Sequence, residues 1–429
     1  MSNEEIISMD RAAIALFLIV VTLSACTGKA PETATTTTLA RVTTSTTYPA
    51  RLDAVSGVAL VGANLHRTGV YDTEGPALGK LKWKFKTGER QASPPVVFDG
   101  IVYVGGWNSS FYALDAETGG VIWEFVAGDK RYSEAVVADG IVYSGGTEGY
   151  MYALDAKTGK EKWRFKVDGY RLPVPGGALF DDVDSPVVYS GVIYFSSNDG
   201  NLYAVDSTTG RLLWKYNTES IIFSFPIISG GLVYFDDGSG GDARHIFALD
   251  AKTGQERWQF TTLSGAIYLS LDSGILYAGG WGDKLYAIDA ATGEQLWVFS
   301  TGTRNYFGTI PAVYNGMVYA GSSNGYLYAL DAITGEKIWE YETLGGFHTP
   351  EPSIAGGVLY FVDGLRTGET VDGTFVEEDW NVLHAIDTET GEEKWTSRIA
   401  GEAGYERVVY IADGTAYFVG KDGYVYAVR

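Results

Sequence analysis

A single cysteine, Cys26, is all the thiol that 429 residues offer, so no disulfide or cysteine-built metal site can form within the chain. Histidine occurs only at 66, 245, 348 and 384. No histidine cluster, Ser/His/Asp order or glycine-rich phosphate loop emerges from the sequence, and no residue qualifies as catalytic. Positive charge is short as well: 32 Lys and Arg stand against 53 Asp and Glu, a net charge of −21. That balance argues against nucleic acid and against electrostatic docking on anionic lipid. Proline is sparse at 12, whereas glycine reaches 55 and aromatics 14%, a composition of many short strands and tight turns.

Long apolar runs are nearly absent too. The one at the N-terminus, "AAIALFLIVVTL" (12–23), extends through 25 to 14 residues, short of the roughly 20 that span a bilayer. It follows Arg11 and ends in "LSAC" (23–26), which resembles the bacterial lipobox. The resemblance implies a signal peptide over 1–25, cleavage before Cys26, lipidation of Cys26 and an extracytoplasmic location, on the cell membrane or the inner leaflet of an outer membrane. Residues 26–57, with "TATTTTLARVTTSTT" at 33–47, cannot bury a core and read as a flexible tether.

What the chain has in abundance is one phrase. "YALDAETGGVIW" (112–123) recurs with small changes as "YALDAKTGKEKW", "YAVDSTTGRLLW", "FALDAKTGQERW", "YAIDAATGEQLW", "YALDAITGEKIW" and "HAIDTETGEEKW". His384 replaces the phrase's Tyr and reads as a packing variant. Trp83, Trp123, Trp163, Trp214, Trp258, Trp297, Trp339 and Trp395 mark the repeats, mostly 39 to 44 residues apart. Each unit holds four runs rich in Val, Ile, Tyr and Phe, which predicts one four-stranded antiparallel sheet per repeat. Asp-Gly at 99–100, 139–140 and 413–414, with Ser-Gly or Asn-Gly at 190–191, 273–274 and 315–316, suits the hairpin between the first two strands. In "Asp-x-x-Thr-Gly" the Asp can accept from the turn's amides and the Gly can take a left-handed conformation. The phrase's Ala reads as room for an indole from the neighbouring sheet. These eight tryptophans are structural residues, a packing code rather than a site.

The motif Ala-x-Asp-x-x-Thr-Gly-x-x-x-Trp resembles the tryptophan-docking motif of PQQ-like (pyrroloquinoline-quinone-type) β-propeller repeats over residues 58–429. "NLHRTGVYDTEGP" (64–76) is similar to the usual lead-in of such chains. Seven phrases join third strand to fourth. The final "YVYAVR" (424–429) is an eighth third strand with no fourth, and "LKWKFKTG" (81–88) is a fourth strand with no third. Pairing the two predicts an all-β, eight-bladed propeller closed by N- and C-terminal strands in one blade.

Function is sought in what departs from the phrase. In a propeller the fourth-to-first and second-to-third loops share one face. The long segments 168–184, 363–381 and 236–245 all belong to these two kinds, which marks that face as the variable one. Trp107, Trp281 and Trp380 lie in second-to-third loops. Tyr132, Tyr170, Phe223, Tyr268, Tyr306, Phe347 and Tyr405 fall in fourth-to-first loops, with Arg90, Arg131, Arg171, Arg304 and Arg407, and His348 beside Phe347. Together they form a candidate ligand or partner face. Asp181, Asp184, Asp236 and Asp242, near Asp182 and Asp237, are weak calcium candidates, although neither cluster matches an EF-hand loop.

Three function readings follow. The family resemblance implies a quinoprotein dehydrogenase holding PQQ with calcium, but its larger members use two adjacent cysteines, which this chain lacks. In size, lipobox and blade count the chain also resembles the eight-bladed lipoproteins of the outer-membrane β-barrel assembly machinery. That implies a non-catalytic scaffold binding an envelope or surface protein or peptide, with no cofactor expected. A surface lipoprotein sensing carbohydrates or other small molecules is the third reading.

Overall fold

The computed structural model describes residues 58–429 except 61, 89–91, 127, 129–130, 170–182, 223, 238–243, 263–265, 303–304, 345–350, 372–373 and 402–407. Cys26 and the tether lie outside the described residues.

Every described element is a strand, and the strands fall into eight antiparallel blades. Blade 1 comprises Val96–Phe98, Ile101–Gly105, Ser110–Asp115 and Val121–Val126, from innermost to outermost. Blades 2 to 7 repeat this order from inner strands at Val136–Ala138, Val187–Tyr189, Ile227–Ser229, Ala266–Asp272, Ala312–Tyr314 and Ser353–Ala355. Blade 8 takes three strands from the end of the chain and its outer strand, Leu81–Lys86, from the beginning. Leu81 pairs with Val428 and Lys86 with Tyr424, as the strand count requires.

The turn chemistry explains why the repeats fold alike. Asp99 and Gly100 have φ of 50° and 73°, the paired left-handed conformation of a tight hairpin turn, and Asn315 and Gly316 repeat it at 50° and 77°. In the phrase, Asp115 Oδ1 accepts from the amide and the hydroxyl of Thr118, both at 2.8 Å.

The neighbouring indole is received by the phrase's Gly rather than by its Ala. Ala113 instead faces its own blade's Trp123 across the strand pair. Trp123 Nε1 donates to the Ala156 carbonyl of blade 2 at 2.9 Å, and Tyr103 Oη donates to the same oxygen at 3.1 Å. The indole bond repeats around the ring, always to the following blade. Trp163 donates to the carbonyl of Ser207, Trp214 to Ala251, Trp258 to Ala290 and Trp297 to Ala332, each at 3.0 Å, and Trp339 donates to Thr388 at 3.1 Å. Trp395 meets the seam, where the following blade takes its outer strand from the start of the chain. There the receiving glycine is Gly79, at φ of 60°, and a Cβ on it would lie 2.8 Å from Trp395 Cζ3.

A paired substitution separates the two duties of these glycines. A Cβ at Gly254 would lie 2.8 Å from Trp214 Cδ2, while one at Gly100 would meet nothing within 4 Å, and their φ values, 70° and 73°, are alike. Both alanine variants carry the left-handed strain, but Gly254→Ala adds a clash with the docked indole. It is expected to cost about 1–3 kcal/mol more than Gly100→Ala in denaturant melts. Equal losses would show that indole docking does not need the glycine.

Ring closure leaves no open outer edge at the seam, but each inner strand still offers a free edge to the axis. The segment read as a lead-in fills that space. Val58–Leu60 pairs antiparallel with the inner strand of blade 2, and Val70–Tyr71 pairs parallel with that of blade 7. Between them, the carbonyls of Leu65, His66, Thr68 and Gly69 accept in turn from Ile228, Leu271, Val313 and Ile354, on blades 4, 5, 6 and 7, at 2.7–3.2 Å. Backbone groups that would otherwise be orphaned around the axis are thereby paired. Inner strands run from the loop face to the turn face, so this plug enters from the turn face, bends near the loop face and returns.

The segment 363–381 is not an irregular loop. Strands Val358–Val371 and Thr374–Asp387 continue blade 7 as one hairpin, in register out to Val371 opposite Thr374.

Candidate partner-binding face

On the loop face, beside the axis, a cavity of about 180 Å³ opens between blades 1 to 4. Its walls include Trp107, Arg131 and Tyr132, three of the residues singled out in the sequence. Trp107 stands in the turn between the second and third strands of blade 1. Arg131 reaches it from the loop leading into blade 2, with its guanidinium 5.1 Å from the indole centroid. Tyr132 is fixed by a bridge to Gly146 and by edge contacts with Phe111 and Tyr152 at 5.7 and 6.0 Å.

The floor is built from residues outside that selection. Three positions before the central residue of each inner strand pairing (Val97, opposite Val102, in blade 1), the repeats carry Pro94, Glu134, Ser185, Phe225, Tyr268, Ile310, Glu351 and Val408, from blade 1 to blade 8. The first four line the cavity. Only blades 2 and 7 place a charge there, and both carboxylates attract Arg67 of the plug. Arg67 is buried, with φ of 49° and its guanidinium 4.8 Å from the Phe225 ring centroid. Arg67 Nη1 lies 3.6 Å from Glu134 Oε2, an ion pair too long for a hydrogen bond. Burial lowers the Arg67 pKa although Glu134 and Glu351 oppose it, and burial raises that of Glu134 although Arg67 opposes it. Desolvation thus outweighs attraction on both sides of the pair. The signal for this floor shows once the strand register aligns the repeats: Glu134 occupies a position held by Pro, Ser, Phe, Tyr, Ile or Val in six others.

The same construction recurs four blades away. Trp281, 61% exposed in the corresponding turn of blade 5, packs against Tyr306 from the next loop with ring centroids 5.3 Å apart. Tyr268 belongs to the ring of eight positions at the axis. Trp380 sits apart in the blade 7 hairpin, between Leu365 and Ala400. Arg90, Tyr170, Arg171, Phe223, Arg304, Phe347, His348, Tyr405 and Arg407 lie outside the described residues.

Of the calcium candidates, Asp181 and Asp242 lie outside the described residues, as does Asp182. Asp237 is engaged by His245, whose Nδ1 stands 2.8 Å from Asp237 Oδ2. Asp236 is fully buried and neither of its carboxylate oxygens has a hydrogen-bond partner. Among the described residues no group of three His, Cys, Asp or Glu side chains is arranged to hold a metal ion.

The sequence model of the family described as outer membrane protein assembly factor BamB matches residues 73–260 and 242–374. The chain belongs to that family. Among individual BamB proteins, that of Moranella endobia is 24% identical over 237 residues, covering 53% of this chain and 58% of its own. The quinohemoprotein alcohol dehydrogenase ADH-IIG of Pseudomonas putida is 29% identical over 196 residues, covering 43% of this chain but 22% of its own. The chain thus spans about half of the first relative and a fifth of the second. In structure, BamB from Moraxella catarrhalis superimposes with a TM-score of 0.59 at 17% identity, over 82% of this chain and 98% of its own. A quinohemoprotein alcohol dehydrogenase from Comamonas testosteroni gives 0.64 at 16%, over 86% and 80%. At those identities the likeness establishes the fold and nothing finer.

A quinone held as in the larger dehydrogenases does not fit the residues present. The chain has no adjacent cysteine pair, and the propeller axis of this BamB-family chain is threaded by its own residues 58–71.

Proposed function

We propose that this protein is a non-catalytic, extracytoplasmic scaffold that holds an extended segment of an envelope protein on its loop face, needing no cofactor and anchored through lipid on Cys26. The observation carrying this reading is that the axis is filled by the chain itself. Residues 58–71 pair with inner strands, and the open cavity lies above them, walled by Trp107, Arg131 and Tyr132. An aromatic and arginine wall beside a shallow opening is the residue set that dominates protein contacts. The names of the BamB relatives, with their assembly-factor role, support a protein partner and an envelope setting.

The test places a photo-crosslinking residue at Trp107 and, separately, at Ser273 on the turn face, in cells making the full chain. A discrete, stoichiometric adduct is expected from position 107 and not from 273. Arg131→Glu should lower its yield about tenfold, the effect of one interface arginine of typical weight. Adducts from both positions, or from neither, would overturn the assignment of the face. The identities to quinoprotein dehydrogenases give the catalytic alternative its standing. Saturable, one-to-one uptake of the quinone with calcium, together with alcohol oxidation, would establish it instead.

A further inference from the structure

We infer that the outer edge of blade 5 is a second binding surface, which adds an uncharged extended segment of another protein as a fifth strand. This goes beyond the loop-face reading and needs neither the Trp107 cavity nor its occupant. The outer strand of every blade leaves a row of backbone N–H and C=O groups on its free side, a template for pairing that charged residues on the strand normally block. Seven of the eight outer strands carry such a charge. Leu81–Lys86 has three lysines, Glu161–Lys166 four charged residues, and Val121–Val126 still keeps Glu124. The outer strand of blade 5, Gln295–Ser300, reads QLWVFS and has none. Its surface is apolar too, with Leu296 49% and Val298 44% exposed. Ile333, beside the Ala332 carbonyl that accepts from the Trp297 indole, is 54% exposed. Among the described residues no strand pairs with the outer side of this one.

A second observation falls on the same blade. The exposed Trp281 belongs to the turn before the third strand, Lys284–Asp289, and that turn is tied to the end of the outer strand. Ser300 Oγ donates to Asp283 Oδ2 at 2.5 Å, and the Thr301 amide donates to the Asp283 carbonyl at 3.0 Å. Tyr306 packs against the indole and steadies it. The ring therefore stands at the loop-face end of the unguarded edge, an aromatic anchor of the kind that dominates protein contacts.

Charge and area choose the occupant. A second copy of the chain would bring two net charges of −21 together. The shared contact would be one strand wide and about 20 Å long, short of the roughly 1,200 Å² that stable protein pairs bury. A single extended segment meets neither obstacle. It takes its affinity from backbone hydrogen bonds along the edge, and its side chains cover Val298 on one side and Leu296 with Ile333 on the other. Uncharged apolar or β-branched side chains suit that surface, since a charge laid over these exposed groups loses water and gains no opposite charge on the strand. The edge lies about 14 Å, three strand spacings, outside the inner strand of its blade, so a segment on it stays clear of Ser273.

The probe is the capped peptide acetyl-Ser-Val-Thr-Val-Thr-Val-Ser-amide, added to the full chain, with amide hydrogen exchange read over every outer strand. Saturable protection is expected over residues 295–300 and over no other outer strand. The same peptide N-methylated at every residue cannot form strand hydrogen bonds and is expected to protect nothing. Val298→Lys installs the residue that blades 8 and 3 carry at this position, Lys84 and Lys215, so the ring still folds. It should raise the dissociation constant about tenfold or more, whereas Gln259→Lys, at the same position of blade 4, should leave it unchanged. Protection spread evenly over the outer strands, protection by the N-methylated peptide, undiminished binding by Val298→Lys, or no protection at all overturns the inference. So does protection that grows with protein concentration without peptide and is lost in Val298→Lys, which would make a second copy the occupant. None of these outcomes alters the cross-link expected from position 107, so the loop-face reading stands or falls separately.

Discussion

Removing residues 424–429 is expected to leave a chain that no longer melts in a single cooperative transition, with its near-UV aromatic signal largely lost. The six residues contain the strand Tyr424–Val428, which lies between Thr415–Val419 and Leu81–Lys86 in blade 8. Without it the N-terminal strand has no partner, and Trp83, whose Nε1 donates to the Ala116 carbonyl of blade 1 at 3.0 Å, has no blade to dock from. Val425, Tyr426 and Val428 are all fully buried. At about 1.5–3 kcal/mol for each such side chain, their loss alone is roughly 5–9 kcal/mol. Whole domains are stable by only about 5–15 kcal/mol. The ring geometry deepens the effect, because blades 7 and 1 both lose a neighbour. Circular dichroism melts of the truncated and full-length proteins decide the point. A truncated protein melting cooperatively within a few degrees of the full chain would mean that the seam is not closed by this strand.

That closure was legible in the sequence because it is a matter of counting: seven complete phrases, one orphan third strand and one orphan fourth strand. Turn pairs such as Asp99-Gly100 were legible because local backbone geometry restricts the residues that can stand there. The repeat tryptophans, from Trp83 to Trp395, were legible as packing residues, but the partner of each indole was not. Spacing alone does not say whether the Ala or the Gly of the next phrase lies under the ring. The shared face of the variable loops followed from strand alternation alone. The plug was not legible. Residues 58–71 have no repeat period, and their task is to satisfy the inner edges of five different blades through backbone groups, which leave no side-chain signature. Nothing in the sequence around Arg67 marks it as buried, yet it lies against Glu134 and Phe225. Glu134 and Glu351 become visible only once the register aligns them as equivalent positions in blades 2 and 7. Of the loop residues chosen by type, Trp107, Arg131 and Tyr132 converge because adjacent blades bring a second-to-third turn beside the following fourth-to-first loop. The same rule joins Trp281 to Tyr306, and the sequence contained it in principle.

Asp236→Asn is expected to stabilise the protein at neutral and alkaline pH, and to do so less and less as the pH falls. Asp236 ends the second strand of blade 4, fully buried, with no hydrogen bond to either carboxylate oxygen. Burial pushes its pKa well above the ordinary 3.8. Arg244 opposes that shift, and the carboxylates of Asp237 and Asp184 reinforce it. The folded protein therefore keeps a proton here that the unfolded chain releases from about pH 3.8 upward. Where the native state binds more protons than the unfolded state, stability falls as pH rises, by at most about 1.4 kcal/mol per pH unit for one group. The loss begins at the ordinary carboxylate value and continues until the raised folded pKa is passed. Asn has nearly the same shape and no such titration. Other groups act elsewhere or with the opposite sign. Arg257 and Thr253 hold Asp250 down to about 2, so its contribution is lost only in strong acid. Burial lowers the pKa of His384, whose contribution grows as pH rises toward the ordinary histidine value of 6.5. Both cancel in the difference between variant and wild type, provided the sites are uncoupled. Thermal melts from pH 4 to pH 8 should therefore show the variant gaining several degrees at pH 8 and about one degree or less at pH 4. A loss of stability that is the same at every pH would show that the carboxyl is held by a favourable contact. Stabilisation of the wild type by millimolar calcium at pH 8, absent in the variant, would show instead that Asp236 and Asp184 complete a cation site.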